Sequence, residues 1–372
     1  MMTEKRKFLT YLNLEVEIER SAPEDVRRLL EDYVLGTEGG LRYRQLDIPA
    51  RLAVIREIWF MSLRKYGRLL GTVGFVHRSV CCAGRDYNAY YIRYFSIRSN
   101  PVKRELRKKN VQVKKRGGRL REQVERFMGE VDRYLEGSEG VPSVMYAYIE
   151  EENVASMQMS GRMGYRTVRR MDHTWFSRLR PLPRAGVTRA AAGEQEEITG
   201  RLRTFYGGYT LFHAEGLFAD GPYYLFRDGG GVIRAGVQAR PVRWQIVEMP
   251  GVAGVFFRRV LPRLPFLRRL FDGRIFRFLS LEALFFDEGH DDKVIPLVET
   301  ALHENGLSLA LLWHDTRSPL RVAMRQLRGK GLFGKVMKAQ PADVRMRFLN
   351  MTREEEKVFS DKPAYVAAVD VT

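Results

Sequence analysis

The strongest anion-binding chemistry in the sequence lies in a basic segment that contains two adjacent glycines. Residues 101–121 carry ten lysines and arginines and one acid, Glu105. Glycines let backbone amides approach a phosphate closely, and the start of a helix directs unpaired N–H groups at it. The segment predicts a phosphate site just before a helix, with a solvated basic loop as the alternative. The predicted contacts are Lys115, Arg116, Gly117, Gly118, Arg119 and Leu120.

A second pattern is typical of a strand, a capped helix and a return strand. The apolar run 144–149 predicts the first strand, and 165–176 the last. Between them, Asn153 can accept hydrogen bonds from the first helical amides, and Gly164 suits the position just past a helix end. The sequence therefore predicts a short helix that begins after Asn153.

This arrangement resembles the GNAT acetyltransferases. In that family a small residue follows the capping Asn by three positions, an apolar residue by six, and a Gly-aromatic pair by eleven and twelve. The family's tyrosine at position seven, which would protonate the coenzyme A thiolate, is Ser160 here. The resemblance covers about residues 14–180. The matching residues are Ser156, Met159, Gly164 and Tyr165.

The resemblance implies a cofactor, acetyl-CoA or another acyl-CoA, and a place for each part of it. The loop 115–120 matches the family's pyrophosphate loop in part, since neither register places a small residue at its last position. The strand 91–97 resembles the one that pairs with pantetheine, although a central core strand would have the same composition. Beside the loop, the implied cofactor contacts are Phe95, Ser96, Ile97, Asn153 and Ser156.

Acyl transfer to an amine needs a base and, for the leaving thiolate, an acid. Three carboxylates, residues 150–152, follow the strand beside the implied cofactor site, and a surface strand end is the alternative explanation for them. His173 is a weaker candidate. The predicted catalytic residues are Glu151, Ser160 and Tyr165.

The chain is long enough for two domains. Its 372 residues include 45% hydrophobic ones, and a proline-rich, then small and polar stretch interrupts the patterns near residue 183. We expect an α/β (α+β) protein with a mixed sheet flanked by helices. Residues 1–182 would form a GNAT-like domain, 183–197 a linker, and 198–372 a second, divergent GNAT-like domain. Acidic residues at 287–292 would repel a pyrophosphate, so the second domain would lack a phosphate loop.

A net charge of +18 predicts attraction to polyanions, which include coenzyme A, nucleic acid and anionic membranes. Residues 255–279 combine seven arginines with many apolar residues, which suits a membrane-surface helix, a ligand groove or a helix that covers its own sheet. No apolar run is long enough to cross a bilayer and no secretory signal is present, so we expect a cytoplasmic protein. Cys81 and Cys82 alternate along a strand and should not pair, and no metal-ligand spacing occurs.

The sequence favours an acyl-CoA dependent N-acyltransferase that acts on a small-molecule or peptide amine. Two alternatives stay open: a noncatalytic GNAT-like module that binds RNA or a membrane, and a Fem-type aminoacyl-tRNA dependent transferase. No P-loop, dinucleotide fingerprint or nucleophile elbow is present, which gives kinase, dehydrogenase and serine hydrolase functions no support.

Overall fold

The computed structural model describes residues 5–11, 13–36, 39–98, 125, 140–249, 271–272, 275–336 and 341–371. The predicted phosphate loop 115–120 lies outside the described residues. So do the helix expected after it, except for Glu125, and most of the basic apolar segment 255–279.

In the first half of the chain, the described residues form eight strands and three helices. The strands are β1 (Lys5–Tyr11), β2 (Leu14–Arg20), β3 (Arg42–Gln45), β4 (Ile58–Lys65), β5 (Arg68–Cys82), β6 (Arg85–Ile97), β7 (Ser143–Glu150) and β8 (Arg166–Ser177). The helices are α1 (Glu24–Asp32), α2 (Ile48–Val54) and α3 (Val154–Arg162).

In the second half, the described residues form seven strands and six helices. The strands are β9 (Val187–Arg189), β10 (Tyr223–Arg227), β11 (Ile233–Glu248), β12 (Phe271–Asp272), β13 (Ile275–Phe286), β14 (Leu309–Asp315) and β15 (Ala342–Leu349). The helices are α4 (Gln195–Phe205), α5 (Val294–Glu304), α6 (Pro319–Gln326), α7 (Phe333–Val336), α8 (Arg353–Asp361) and α9 (Ala368–Val371). The segment predicted as a linker, 183–197, holds β9 and a 3-10 turn at Ala192–Glu194.

The fifteen described strands belong to one mixed sheet. Its order is β1-β2-β4-β5-β6-β7-β15-β8-β14-β13-β11-β10-β9, with β12 beside β13 and β3 beside β11. The predicted fold class, a mixed sheet flanked by helices, is confirmed. The two parallel pairs are β6 with β7 and β13 with β14, and the remaining pairs are antiparallel.

Strand β15 joins the two halves of the sheet. It lies between β7 and β8 and pairs antiparallel with both, so that Ala342 lies opposite Glu150 on one side and Met171 on the other. A second link is β3, which pairs with the far end of β11 and places Gln45 opposite Trp244. The backbone ladder therefore continues from one half of the chain into the other.

Local sequence explains the turn between β5 and β6 and both ends of α3. The β5–β6 hairpin turns at Ala83 and Gly84, both with positive φ, which matches the twist of the flanking strands. The Asn153 side chain accepts a hydrogen bond from the Ser156 amide at 3.1 Å and caps α3, as predicted. Gly164, with φ of 82°, lets the chain leave the helix and enter β8.

The first half buries apolar side chains on both faces of the sheet. On one face, α1 and α2 cover a cluster that includes Phe60, Tyr91 and Tyr146. On the other, the end of α3 covers Tyr90 and Met145. Both faces of the sheet are therefore covered. A ligand can contact both faces at once only where two neighbouring strands separate.

The cysteines and the helix lengths can be compared with the sequence expectations. Cys81 and Cys82 are both free thiols. Among the helices that the structure describes, none is both long and apolar enough to cross a membrane.

Candidate functional site

Strands β6 and β7 separate and form a fork in the sheet. Their parallel pairing begins at Asn88 with Ser143 and ends at Tyr91 with Tyr146. Beyond that pair β6 continues to Ile97 and β7 to Glu150, yet no ladder pair joins the two strands in this described region. The diverging edges leave room for an extended ligand between the strands.

A bulge in β6 rearranges the side chains at the fork. The pairing of β5 with β6 shifts register between Thr72 and Gly74, and Tyr94 adopts a positive φ of 58°. The extra residue places Tyr94 with Tyr91 on the α1 face, whereas Phe95 packs with Ile92 on the α3 face. A bulky residue in this backbone region is strained, which is common where a strand must re-aim a side chain at a ligand.

A cavity of about 1160 Å³ passes through the fork. On the α3 face its walls include Phe95, Met159 and Met163, and on the α1 face they include Tyr94 and Tyr148. A ligand could therefore lie against α3 and extend one end through the sheet to the opposite face.

Most of the described residues predicted to act at the site line this cavity. The lining includes the pantetheine contacts, the start of α3 and two of the three predicted catalytic residues. These are Phe95, Ser96, Ile97, Asn153, Ser156, Ser160 and Tyr165.

Glu151 is not brought to the cavity. Its carboxylate forms an ion pair with Arg170 at 2.5 Å, whereas its neighbours Glu150 and Glu152 line the cavity. Side chains alternate along a strand, so Glu150 shares the face of Tyr148 and Tyr146 at the fork. Sequence position alone could not separate three consecutive glutamates.

The two predicted hydroxyl groups lie on the α3 face and are buried. Ser160 Oγ donates to the Met157 carbonyl at 3.0 Å, within the helix. The Tyr165 hydroxyl contacts Met145 Sδ at 3.5 Å. Both residues line the cavity on this face.

Three tyrosines form an aromatic cluster on the α1 face of the fork. The rings of Tyr91 and Tyr146 stack at 5.2 Å, and Tyr148 lies 5.4 Å from Tyr91. Burial raises the pKa of Tyr146 and of Tyr148 well above the usual value, so both hydroxyls stay protonated at neutral pH. They are therefore hydrogen-bond donors in a site that excludes much of the solvent.

Helix α9 closes the α1 face of the fork. The Tyr91 hydroxyl donates to the Asp370 carbonyl at 2.5 Å, and Arg93 donates to the Val369 carbonyl. Asp370 and Val371 line the cavity. Helix α9 thus completes the α1 face of the fork, whose two strands come from the first half.

Beyond the fork the cavity extends under both halves of the sheet. Toward the first half lies an aliphatic arm, which we define by Leu30, Val34, Leu35, Ile48 and Ile97. Toward the second half lies a tryptophan arm, which we define by Met171, His173, Trp175, Trp244, Met249, Leu311 and Trp313.

The tryptophan arm contains a histidine held in its neutral form. His173 lies edge-on to Trp313, with ring centroids 4.8 Å apart, and burial lowers its pKa below the ordinary value. Sequence reasoning gave no sign of this arm except His173, because its tryptophans come from three strands that are far apart in the chain. Within the described residues, no group of three or more His, Cys, Asp or Glu side chains could hold a metal ion.

Sequence comparison gives no relative: no protein-family model matches the chain, and no curated protein matches it. Solved structures do match. Saccharomyces cerevisiae N-myristoyltransferase with bound myristoyl-CoA is 10% identical, with a TM-score of 0.55 over 92% of this chain and 85% of that one. A second structure of that enzyme, with myristoyl-CoA and inhibitors, gives a TM-score of 0.51 at 10% identity, over 99% and 88%. A GCN5-related N-acetyltransferase from Anabaena variabilis gives 0.46 at 10% identity, over 89% and 72%.

Proposed function

From the GNAT-like fold of this chain, we propose that it is an N-acyltransferase that transfers an acyl group from acyl-CoA to an amine. The observation that carries the proposal is the cavity through the β6–β7 fork, which joins the α3 face to the α1 face. Such a passage would let a bulky coenzyme and an acceptor meet at one thioester from opposite faces of the sheet. The similarity to an enzyme with bound myristoyl-CoA supports the same coenzyme here.

The coenzyme would lie on the α3 face. Its pantetheine would follow the separated edge of β6 at residues 95–97, near Ser156 at the start of α3. In this arrangement the pyrophosphate would meet the basic loop 115–120. The first domain, 1–182, would hold the coenzyme, and the second, 198–372, would complete the acceptor side.

The reaction requires one bond to form and one to break. The amine nitrogen attacks the thioester carbonyl to give a tetrahedral intermediate, and loss of the C–S bond then releases coenzyme A as its thiolate. The Tyr94 hydroxyl, buried and without a hydrogen-bond partner in the described chain, is a donor for the carbonyl oxygen as negative charge develops there.

Two proton transfers accompany these bond changes. Glu150, on the α1 face, would remove the proton of the amine directly or through water, and this assigns to Glu150 the role that the sequence gave to Glu151. On the α3 face, the hydroxyl of Ser160 or Tyr165 would protonate the leaving thiolate. The base and the acid would thus act from opposite faces of the fork.

Blocking the passage tests the proposal. Ser156 lines the cavity, whereas Val154, two residues earlier in α3, is 59% exposed to solvent. Ser156→Trp should abolish the calorimetric binding of acetyl-CoA and of longer acyl-CoA species, and Val154→Trp, on the same helix turn, should bind like the wild type. Equal acyl-CoA affinity of the two folded variants would show that the coenzyme does not bind at the fork. Absence of binding to the wild type would remove the function itself.

A further inference from the structure

The tryptophan arm has the construction of a binding site for a flat group. Trp175, Trp244 and Trp313 are three of the four tryptophans in the chain, and they come from β8, β11 and β14. Their side chains share one face of the sheet and open onto the same end of the cavity. Such a concentration of indole rings offers a large area for stacking with little conformational entropy to lose.

Aromatic packing around the rings fixes their orientation. Trp175 and Trp244 both lie edge-on to Phe278, at 5.5 and 4.9 Å. Tyr43 stacks on Trp244 at 3.9 Å, with 19° between the ring planes. The arm is therefore preformed, and a ligand would not have to order it.

Three polar atoms of the arm have no hydrogen-bond partner among the described residues. Trp244 Nε1, Trp313 Nε1 and His173 Nδ1 are buried and make no hydrogen bond within the part of the chain that the structure describes. A buried donor without a partner destabilises the folded protein, and a ligand that supplies the partner removes this cost. Indole nitrogens only donate, so a ligand that satisfies them must bring oxygen or another acceptor.

The two arms differ in what they can hold. The side chains that define the aliphatic arm are Leu, Ile and Val, with Tyr33 beside them, and they suit a hydrocarbon chain. A hydrocarbon in the tryptophan arm would leave the indole and imidazole nitrogens unsatisfied. In the proposed arrangement the adenine ring and the amide carbonyls of coenzyme A stay on the α3 face. The ligand that would bring a ring and a carbonyl to the tryptophan arm is therefore the acceptor.

Resting on the proposed acyl transfer, we infer that the tryptophan arm binds the acceptor, and that the acceptor is an extended amine with a carbonyl and an aromatic ring. The spacing of the strands sets the length that such an acceptor needs. From Tyr148 on β7 to Trp313 on β14 there are three strand intervals, through β15 and β8, or about 14 Å. An amine that reacts at the fork would place its ring at that distance, and the acyl chain would take the aliphatic arm.

A matched pair of acceptors tests this inference with the full-length protein. The anilide of 8-aminooctanoic acid carries an amine, a carbonyl and a ring at about the required spacing, and the N-methylamide of the same acid lacks the ring. With saturating acyl-CoA, release of coenzyme A should show a KM for the anilide at least tenfold lower. Equal KM values would overturn the inference, while intact acyl-CoA binding would leave the proposed function standing.

Tryptophan variants test whether the preference for the anilide arises in the tryptophan arm. Trp313→Phe removes the indole N–H and part of the stacking area. It should raise the KM for the anilide about tenfold, raise that for the methylamide by a smaller factor because both acceptors carry the carbonyl, and leave the affinity for acyl-CoA of every chain length unchanged. Trp59→Phe, at the fourth tryptophan, which is buried outside the cavity, is the matched control and should change neither KM. A changed acyl chain-length preference in Trp313→Phe would place the acyl chain in the arm and overturn the inference. No acyl-CoA binding by the wild type would overturn the proposed function and the acceptor assignment with it.

Discussion

Arg78 and Asp370 form a buried bidentate ion pair that connects β5 to the last described helix. Their nitrogen–oxygen distances are 3.0 and 3.1 Å, and the two residues are 292 positions apart in the chain. His213 also contacts the Arg78 guanidinium, at 2.5 Å, and burial lowers its pKa well below the usual value, so it meets Arg78 as a neutral ring. The first half thereby holds α9 against the fork.

Removing the acid of this pair should destabilise the protein and open the site. Asp370→Asn leaves the Arg78 charge buried without its counterion, which costs about 3–5 kcal/mol of unfolding free energy. Urea denaturation measures this loss, and acyl-CoA affinity should fall with it. Arg28→Met is the control: it breaks the exposed Arg28–Glu24 pair, worth at most about 1 kcal/mol. Similar losses in the two variants would contradict a structural role for the buried pair.

Buried His314 should make stability depend on pH below neutrality. Burial lowers its pKa from 6.5 to about 4, so between these values the unfolded chain binds a proton that the folded protein does not. Stability is therefore complete above about pH 6.5 and falls as the pH drops, by about 2 kcal/mol between pH 6.5 and 5 from this group. His314→Gln should remove that part of the slope in denaturation curves measured at each pH. An unchanged slope would show that His314 keeps an ordinary pKa.

The Tyr94 hydroxyl should contribute to function at the expense of stability. It is buried and makes no hydrogen bond in the described chain, so Tyr94→Phe should raise the unfolding free energy by about 1 kcal/mol. If the hydroxyl stabilises the developing oxyanion, kcat should fall about 100-fold at the same time. Tyr206→Phe is a control of opposite sign, because its hydroxyl donates to the Leu284 carbonyl at 2.7 Å away from the cavity. Loss of stability in Tyr94→Phe would mean that the hydroxyl has a partner.

Much of the first half could be predicted from the sequence because its signals are local. The β5–β6 hairpin has its turn residues between two alternating runs, and the Asn153 cap and Gly164 bracket one short helix. Each of these features depends on residues within a few positions of one another. The fork could be inferred only through the family resemblance, since nothing in the composition of β6 or β7 shows where pairing stops.

The other features of the fold and of the site depend on contacts between residues that are distant in the chain. The periodicity of the sequence does not encode such contacts. No local pattern indicates that β15 enters the sheet between β7 and β8, nearly 200 residues from β7, or that Asp370 pairs with Arg78. The same reason explains the tryptophan arm. Alternation of Tyr146 and Tyr148 on β7 was the one available signal for the aromatic cluster, and it also places Glu150 on that face.

Loss of a hydroxyl on the α3 face should slow turnover without weakening coenzyme binding. If Ser160 or Tyr165 protonates the thiolate, Ser160→Ala or Tyr165→Phe should lower kcat by about 100-fold, and the double variant should add little. Calorimetry should give an unchanged affinity for acyl-CoA. Thr199→Ala is the matched control for Ser160, since its hydroxyl also donates to a carbonyl within a helix, at 2.7 Å, far from the cavity. Full turnover in the double variant would mean that the thiolate leaves without a protein acid.

Adjacent glutamates offer the sharpest test of the base. Glu150 lines the cavity on the face of Tyr148, whereas Glu151 pairs with Arg170 outside it. Glu150→Gln should lower kcat by a factor of about 10²–10⁴, because a neutral amide cannot take the proton of the amine, and activity should recover as rising pH deprotonates the acceptor in solution. Glu151→Gln should retain nearly full kcat and lose less than about 1 kcal/mol of stability, since its partner is largely exposed. Loss of kcat in Glu151→Gln but not in Glu150→Gln would identify Glu151 as the base. Full kcat in both variants would show that neither glutamate is the base.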